Sequence, residues 1–337
     1  ANVEFFPLPQ YRGAKEYVLQ YVSIRRAVQS IADSCDCAIF RIPSPISNLI
    51  KNEVIKSHLP WATEIVNDPW DNFAPGAFKS IFRPIYRQYF TKQVKSYALK
   101  ANGTSYVTQF ALQERYPSYA KVYGESKDHF ESYYSSILLE SEYFWNDRKF
   151  DTSKNRFTIV HVNSCITDFS KGHDVVLRAL KELRKKGINV NVKFVGDGPK
   201  RKFFENMARE LEIKEYVEFT GLLSSSQEVR KILIESDLLM FPTVGEGLPR
   251  TVIEAMAVGL PCLSTPVNGI PELLEKEYLI DQQDVAGFVA MTEKIFTNQK
   301  LYQKISKRNI NKAHEYENNT LTKRRNEFYT RLLKLTR

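Results

Sequence analysis

The second half of the chain alternates short apolar runs with amphipathic segments. β-Branched and aromatic runs of strand length occur at 157–162, 190–196, 217–221, 237–243 and 262–266. The segments between them have helical periodicity, as at 174–186, where Gly187 suits a helix C-cap. Buried strands that alternate with amphipathic helices predict an α/β fold, in which a parallel sheet binds ligands at the carboxyl ends of its strands.

The first half alternates in a similar way. The pattern predicts a helix over 14–33, strands over 37–43, 61–66 and 104–108, and a long helix around 79–101. No strand followed by a Gly-rich turn opens this half, and residues 137–156 have the character of a connector. We therefore expect two Rossmann-like domains, over 1–150 and 151–318.

The residue pattern over 319–337 predicts a final helix with a basic side and an apolar side. The apolar side carries Phe328, Tyr329, Leu332 and Leu333. Such a helix could pack locally or cross to the first domain, and the sequence leaves both open.

Composition fits a globular protein of two domains. The chain has 337 residues, 43% of them apolar, and no apolar run long enough to cross a membrane. Its four cysteines form no CxxC pair, which indicates reduced thiols in the cytoplasm, and the five scattered histidines offer no spacing suited to a metal.

Positive charge is concentrated in the predicted helix around 79–101. The net charge is +9, and no acidic residue occurs between Asp71 and Glu114, where six Lys or Arg residues fall. Basic and aromatic residues on one helix favour contact with an anionic membrane surface. The alternative is a solvated basic face above an aromatic core face. Charge alone does not support nucleic acid as a partner.

The stretch 237–273 carries the candidate chemistry. A buried strand leads into the loop VGEGLPR and then a helix over about 249–258, with Pro249 suited to its first turn. The backbone amides of Gly247 and Leu248 would lie at the helix N-terminus, where a phosphate is favoured. Glu246 and Glu254 flank this turn, and carboxylates of this kind suit sugar hydroxyls.

The segment EGLPRTVIEAMAVGLPCLSTPVNGIPEL closely resembles the signature of family 4 retaining glycosyltransferases, which are two-domain GT-B enzymes that use nucleotide sugars. TDFSKGHD, VKFVGDGPKR and VEFTGLL resemble that family's Lys-Gly loop, Gly-rich turn and base-contacting strand end. The resemblance is strong over about 156–275 and weaker in the first domain, where WATEIVNDPWDNFAPG and YVTQFALQERYP are similar to acceptor-domain segments. It implies two parallel sheets that face each other across a cleft.

The resemblance also implies roles for the residues of the motif. Glu246, beside the donor sugar and diphosphate, and Lys171, on the diphosphate, become the catalytic candidates. Glu254 would hold the ribose hydroxyls, and the amides of Gly247 and Leu248 would meet phosphate or sugar.

Four further positions are donor-binding candidates by the same resemblance. Gly196, Asp197 and Gly198 form either a turn near the sugar nucleotide or a tight turn without ligand contact. Leu222 would contact the base through its backbone, with a side chain expected in the core.

The sequence departs from the family in two places, and its first domain offers two acidic candidates. Asn163 and Ser164 stand where the family usually has a Gly-Arg pair, so Arg250 is the candidate for the lost cation. Asp68 and Asp71, at the end of a predicted strand, either face the acceptor side of the cleft or cap a turn. The missing Gly-rich turn leads us to expect that the first part of the N-terminal domain is absent.

The implied activity is transfer of a sugar from an NDP-sugar such as a UDP- or GDP-sugar to an acceptor hydroxyl, with retention and without metal or other cofactor. The acceptor would be a sugar or a lipid-linked sugar in polysaccharide or glycolipid synthesis, at the inner face of the membrane. The alternatives are a GT-B enzyme that epimerises nucleotide sugars and a non-catalytic nucleotide-sugar-binding module. A Rossmann dehydrogenase is disfavoured because no G-x-G-x-x-G follows a strand.

Overall fold

The computed structural model describes residues 4–11, 13–32, 35–75, 80–145 and 148–336. Their nine strands form two separate parallel sheets, as the alternating pattern predicts. The first sheet has the order β1-β2-β3-β4, with strands Ala38–Ile42, Trp61–Ile65, Gly103–Tyr106 and Phe130–Tyr133. The second has the order β7-β6-β5-β8-β9, with β5 Phe157–Cys165, β6 Val190–Asp197, β7 Val217–Gly221, β8 Leu238–Phe241 and β9 Cys262–Ser264.

Helices connect these strands. Those of the first half are α1 Gly13–Ala32, α2 Pro45–Lys56, α3 Pro69–Asn72, α4 Arg83–Ala98, α5 Ala111–Arg115 and α6 Tyr119–Tyr123. Those of the second half are α7 His173–Lys185, α8 Arg201–Glu210, α9 Ser226–Glu235, α10 Arg250–Ala257, α11 Ile270–Leu273, α12 Val285–Thr297, α13 Gln299–Ala313 and α14 Asn318–Leu333. No helix among the described residues is long and apolar enough to span a membrane.

Each sheet has its own core, and a third apolar cluster joins them. Phe40, Trp61 and Tyr97 pack edge to face in the first core, with ring centroids 5.5 to 5.8 Å apart. The joining cluster takes residues from the first sheet, the connector, the second sheet and α14. The halves of the molecule are thus packed together, while the domain boundaries at 150 and 318 stay a prediction.

Helix α14 crosses to the first sheet. The ring of Phe328 lies 5.3 Å from that of Phe130 and 5.9 Å from that of Tyr134, both edge to face. Gly103 makes room for it, because a Cβ there would come within 2.9 Å of the Phe328 ring. Of the predicted apolar face, Phe328 and Leu332 are buried, whereas Tyr329 and Leu333 stay partly exposed.

Helix α4 is shorter than the predicted 79–101, and Lys79 lies outside the described residues. Its aromatic residues divide between two faces. Tyr97 is fully buried and Phe90 stacks on Phe73, whereas Phe82 and Tyr89 are exposed. The aromatic side therefore partly belongs to the core, as the alternative interpretation held.

Helix α10 begins at Arg250, one residue later than predicted. Pro249 is its N-cap, with an extended ψ of 113°, and so lies before the first turn rather than in it.

We predict that Phe328→Ala lowers the free energy of unfolding by about 3–5 kcal/mol, because it removes a buried ring that joins two parts of the chain. Leu333→Ala, on the exposed side of the same helix, should change it by less than about 0.5 kcal/mol. Urea denaturation followed by circular dichroism measures both. Equal losses in the two variants would contradict the docking of α14.

Candidate active site

The loop at 242–249 joins β8 to α10 and is held from the loop that follows β9. The side chain of Asn268 donates to the carbonyl of Glu246 at 2.7 Å, and the N–H of Gly269 donates to the carbonyl of Gly247 at 3.0 Å. These bonds occupy the carbonyl groups of Glu246 and Gly247. Earlier in the loop, the N–H groups of Val244 and Gly245 donate to the carbonyl of Ser170 and the hydroxyl of Thr243.

The N–H groups of the next two residues, Gly247 and Leu248, are unpaired. Gly247 and Leu248 are both buried, and none of the described residues accepts a hydrogen bond from either N–H. A buried donor without a partner costs about 1–3 kcal/mol, so such groups are usually satisfied by a ligand or water. They lie just before the N-terminus of α10, where the helix dipole also favours an anion.

Lys171 brings a cation to the same loop. Its ammonium donates to the carbonyl of Gly245 at 2.9 Å and forms an ion pair with the carboxylate of Glu246. The Lys171 and Glu246 side chains remain 24% and 22% exposed, so a ligand can reach both. The Lys-Gly loop around Lys171 and the loop at 242–249, called the acidic loop from here on, are therefore in contact, as a shared site requires.

Gly172 explains how the two loops come so close. Its φ is +74°, and a Cβ at this position would lie 2.2 Å from the carbonyl oxygen of Pro242. Any other residue would clash with the backbone and strain the left-handed conformation. The glycine thus fixes the position of the neighbouring Lys171.

Glu254 lies one turn into α10 and faces the connector. Burial raises the pKa of its carboxyl group, and the charge of exposed Arg250, one turn earlier, opposes that rise. Burial, and secondarily the charge of Glu254, raises the pKa of Tyr143, whose buried hydroxyl has no hydrogen-bond partner among the described residues. The half-buried carboxylate of Glu254 and the unpaired hydroxyl of Tyr143 therefore leave hydrogen-bonding groups for a ligand.

The turn at Gly196 and Gly198 has a packing explanation. Their φ values are +132° and +155°, and a Cβ would lie 1.8 Å from the carbonyl oxygen of Asn163 or 2.6 Å from that of Ile166. Asp197 between them pairs with Arg201 at 3.4 Å. The glycines therefore allow the turn to support the loop after β5, and donor contact by these three residues stays a prediction.

Leu222 does not belong to the core. Its side chain is 66% exposed just beyond the end of β7, because Gly221, at φ +78°, turns the chain outward there. The expectation of a buried side chain was wrong, and the predicted backbone contact with a base remains a prediction.

Asp68 caps a helix in the first domain. It is fully buried and accepts from the N–H of Trp70 at 2.8 Å as the N-cap of α3. It also binds the guanidinium of Arg115 and the hydroxyl of Tyr116. With its oxygens engaged in this way it has a structural role, the capping alternative that the sequence left open.

Asp71 lies at the boundary between the two halves. Its carboxylate pairs with Arg115 at 3.1 Å, and burial followed by the charge of Asp68 raises its pKa against the effect of that arginine. A Cβ on Gly245 would lie 3.8 Å from the carbonyl oxygen of Asp71. Asp71 therefore faces the acidic loop mainly through its backbone.

The acidic loop also touches the first sheet. A Cβ on Gly247 would lie 2.5 Å from the carbonyl oxygen of Val66, just after β2, and 3.3 Å from the side chain of Val107, just after β3. The carboxyl ends of both sheets thus meet at this glycine.

Glu272 joins the halves by hydrogen bonds that sequence reasoning missed. Its carboxylate, on α11, accepts from the N–H groups of Gln109, Phe110 and Ala111 at 2.6, 2.9 and 2.7 Å. It thereby satisfies the free donors at the start of α5. The only sequence signals were the acidic residue in NGIPEL and the helix-like segment FALQERY at 110–116.

No three His, Cys, Asp or Glu side chains in the described part of the chain gather into a cluster that could hold a metal ion.

The sequence matches a known family over the half that contains this site. Residues 144–312 fit the model of the glycosyl transferases group 1 family. The chain belongs to that family and is a glycosyltransferase, with two parallel α/β sheets that match the GT-B fold.

Similar proteins support the assignment to this family, and a solved structure supports the fold. Protein CapJ of Staphylococcus aureus is 26% identical over 284 residues, which are 84% of this chain and 68% of that protein. The putative colanic acid biosynthesis glycosyltransferase WcaL of Escherichia coli is 32% identical over 123 residues, 34% of this chain and 30% of WcaL. HepE of Anabaena, solved with UDP and glucose, aligns with a TM-score of 0.69 at 15% identity, covering 93% of this chain and 83% of HepE.

We predict that Glu272→Ala lowers the free energy of unfolding by about 1.5–3 kcal/mol, because three amide donors lose a charged acceptor. Glu275→Ala, an exposed neighbour, is the matched control and should have almost no effect. Chemical denaturation measures both. An unchanged stability in Glu272→Ala would show that the bonds between the two halves carry no net free energy.

Proposed function

We propose that this chain transfers a sugar from a nucleoside-diphosphate sugar to a hydroxyl group of an acceptor, with retention at the anomeric carbon. The observation that carries the proposal is the pair of unpaired N–H groups of the buried residues Gly247 and Leu248, at the start of α10 and in the same loop that Lys171 contacts. This combination suits a diphosphate. The solved HepE complexes contain UDP, glucose or UDP-glucose, which supports the same donor class here.

In this proposal the site acts by stabilising the leaving diphosphate. Negative charge grows on that group as the glycosidic bond breaks, so donors fixed in advance bind it more strongly in the transition state than before. Lys171 and the two amides supply the positive potential, and Glu246 orients Lys171 and lies beside the sugar. Because Lys171 and the two N–H groups supply the positive potential, the proposed mechanism requires no metal ion.

The remaining donor contacts follow from the same placement. Glu254 would accept hydrogen bonds from the ribose hydroxyls, which needs its carboxylate form. Arg250, exposed one turn earlier, would supply a second cation in place of the family's arginine. The backbone at Leu222 and the turn at 196–198 would border the base and sugar.

We further propose that the acceptor is a sugar or a lipid-linked sugar in polysaccharide or glycolipid synthesis, reached at the inner face of a membrane. At the start of α4, Ile81 and Ile85 are 88% and 64% exposed, with Phe82 beside them. Lys92 and Lys95 are exposed further along the same helix. Apolar side chains near a basic stripe suit the surface of an anionic bilayer.

For the donor site, we predict that the wild type binds a nucleoside diphosphate by titration calorimetry and that Glu254→Gln binds it about tenfold more weakly at pH 7. Glu254 protonates at a higher pH than an ordinary glutamate because its pKa is raised. Wild-type affinity should therefore fall earlier on acidification than that of Glu254→Gln, in which only the phosphate titrates.

UDP, GDP and ADP form the panel, and Glu210→Gln, on an exposed part of α8, is the control. No binding of any of the three would refute the donor site. Binding followed by epimerisation of the bound sugar without an acceptor would favour the epimerase alternative, and binding without any turnover would favour the non-catalytic module.

For the membrane contact, we predict that the protein sediments with vesicles that contain phosphatidylglycerol and much less with phosphatidylcholine alone. The double change Ile81→Ser and Ile85→Ser should reduce this binding several-fold, and added salt should weaken it further. Phe203→Ser, at an exposed position of the second half, is the control. Equal binding to both lipids, or by both variants, would contradict the proposal.

A further inference from the structure

A cavity of about 250 Å³ lies at the carboxyl edge of the first sheet. The ends of β2 and β3 form one wall, the start of the connector forms a second, and α14 closes it with Arg325 and Tyr329. Ligand pockets for larger molecules enclose roughly 300–1,000 Å³, so this cavity suits a single ring.

Glu64 is the acidic group of the cavity. One carboxylate oxygen, Oε1, accepts hydrogen bonds from the hydroxyls of Tyr134 at 2.9 Å and Tyr329 at 2.8 Å. Burial, followed by the hydrogen bond to Glu64 and then the charge of that carboxylate, raises the pKa of Tyr329 to about 12, so this hydroxyl remains a donor at neutral pH. The second oxygen, Oε2, has no hydrogen-bond partner among the described residues and is available to a ligand.

The surroundings of Glu64 are fixed by packing. Arg325 donates to the carbonyl of Ser135 at 3.2 Å and lies 5.3 Å from the centre of the Tyr134 ring. Tyr134 is buried, and a second guanidinium, that of Arg41, borders the opening. The cavity thus combines aromatic walls, hydroxyl and guanidinium donors and a carboxylate, which is the set of groups that binds sugar rings.

The cavity lies beside the acidic loop. Val66 and Val107 line it, and these are the residues that Gly247 approaches from the second half of the molecule. A sugar ring in the cavity would therefore lie on the first-sheet side of the contact between Gly247 and these two valines. The unpaired N–H groups of Gly247 and Leu248 belong to the other side of that contact.

We propose that this cavity is a subsite for one sugar ring of the acceptor, with Glu64 accepting hydrogen bonds from the ring hydroxyls and Tyr134, Tyr329 and Arg325 holding it in place. The assignment rests on the proposed transferase function and goes beyond it by naming the chemistry that selects the acceptor. The ligand class is a pyranose with free vicinal hydroxyls. Because α14 supplies two of the groups, the crossing of that helix completes the subsite.

The test measures sugar binding separately from donor binding. Saturation-transfer NMR on the full chain without nucleotide uses methyl glycosides of glucose, galactose, mannose, N-acetylglucosamine and glucuronic acid as probes. We expect saturable binding of at least one probe, weakened at least tenfold by Glu64→Gln and about threefold by Tyr329→Phe. Glu327→Gln, an exposed carboxylate on the same helix, should leave it unchanged.

Nucleotide titration on the same proteins separates the two hypotheses. Glu64→Gln and Tyr329→Phe should bind nucleoside diphosphate with wild-type affinity, which also shows that they are folded. If the wild type binds nucleotide but no glycoside, or if Glu64→Gln binds the glycoside as the wild type does, the subsite is refuted and the donor site stands. If the wild type binds no nucleotide, the transferase proposal fails, whatever the glycosides do.

Discussion

The contact between Gly247 and the carbonyl of Val66 determines how the rest of the structure can work. It brings the carboxyl ends of two parallel sheets together with no side chain between them, since even a methyl group would lie 2.5 Å from that oxygen. Glu272 reinforces the contact with three hydrogen bonds to the opposite half. The proposed donor site and the proposed acceptor subsite are thereby held on either side of one backbone contact.

The electrostatics of the acidic loop follow from the same packing. Asn268 and Gly269 engage the carbonyls of Glu246 and Gly247, and Lys171 is held by Gly245 and Glu246. The N–H groups of Gly247 and Leu248 have no partner among the described residues. Because the protein itself fixes these groups, the proposed reaction would need little reorganisation as charge develops on the diphosphate. The same fixed geometry explains why a glycine is required at position 172.

Local pattern predicted eight of the nine strands of the described residues, and the acidic loop, since strand period, helix caps and the Lys-Gly loop are all short-range features. It missed β4, a strand of only four residues. It left open whether α14 crosses, because an apolar face does not identify its partner. It was wrong about the Leu222 side chain, where the turn at Gly221 outweighs hydrophobicity. It missed Glu272 and Glu64, since their partners are about 160 and 265 residues away in the sequence and nothing local distinguishes these carboxylates from surface acids.

The crossing of α14 has a consequence for biosynthesis. The ring of Phe328 fills the space above Gly103 and against Phe130, so the first sheet lacks part of its covering layer until that helix has been made. The core around Phe40, Trp61 and Tyr97 contains no residue of α14 and can form earlier. The apolar surface around Gly103 and Phe130 is therefore the part of the N-terminal half that nascent-chain chaperones would meet longest, since the helix that covers it is synthesised much later.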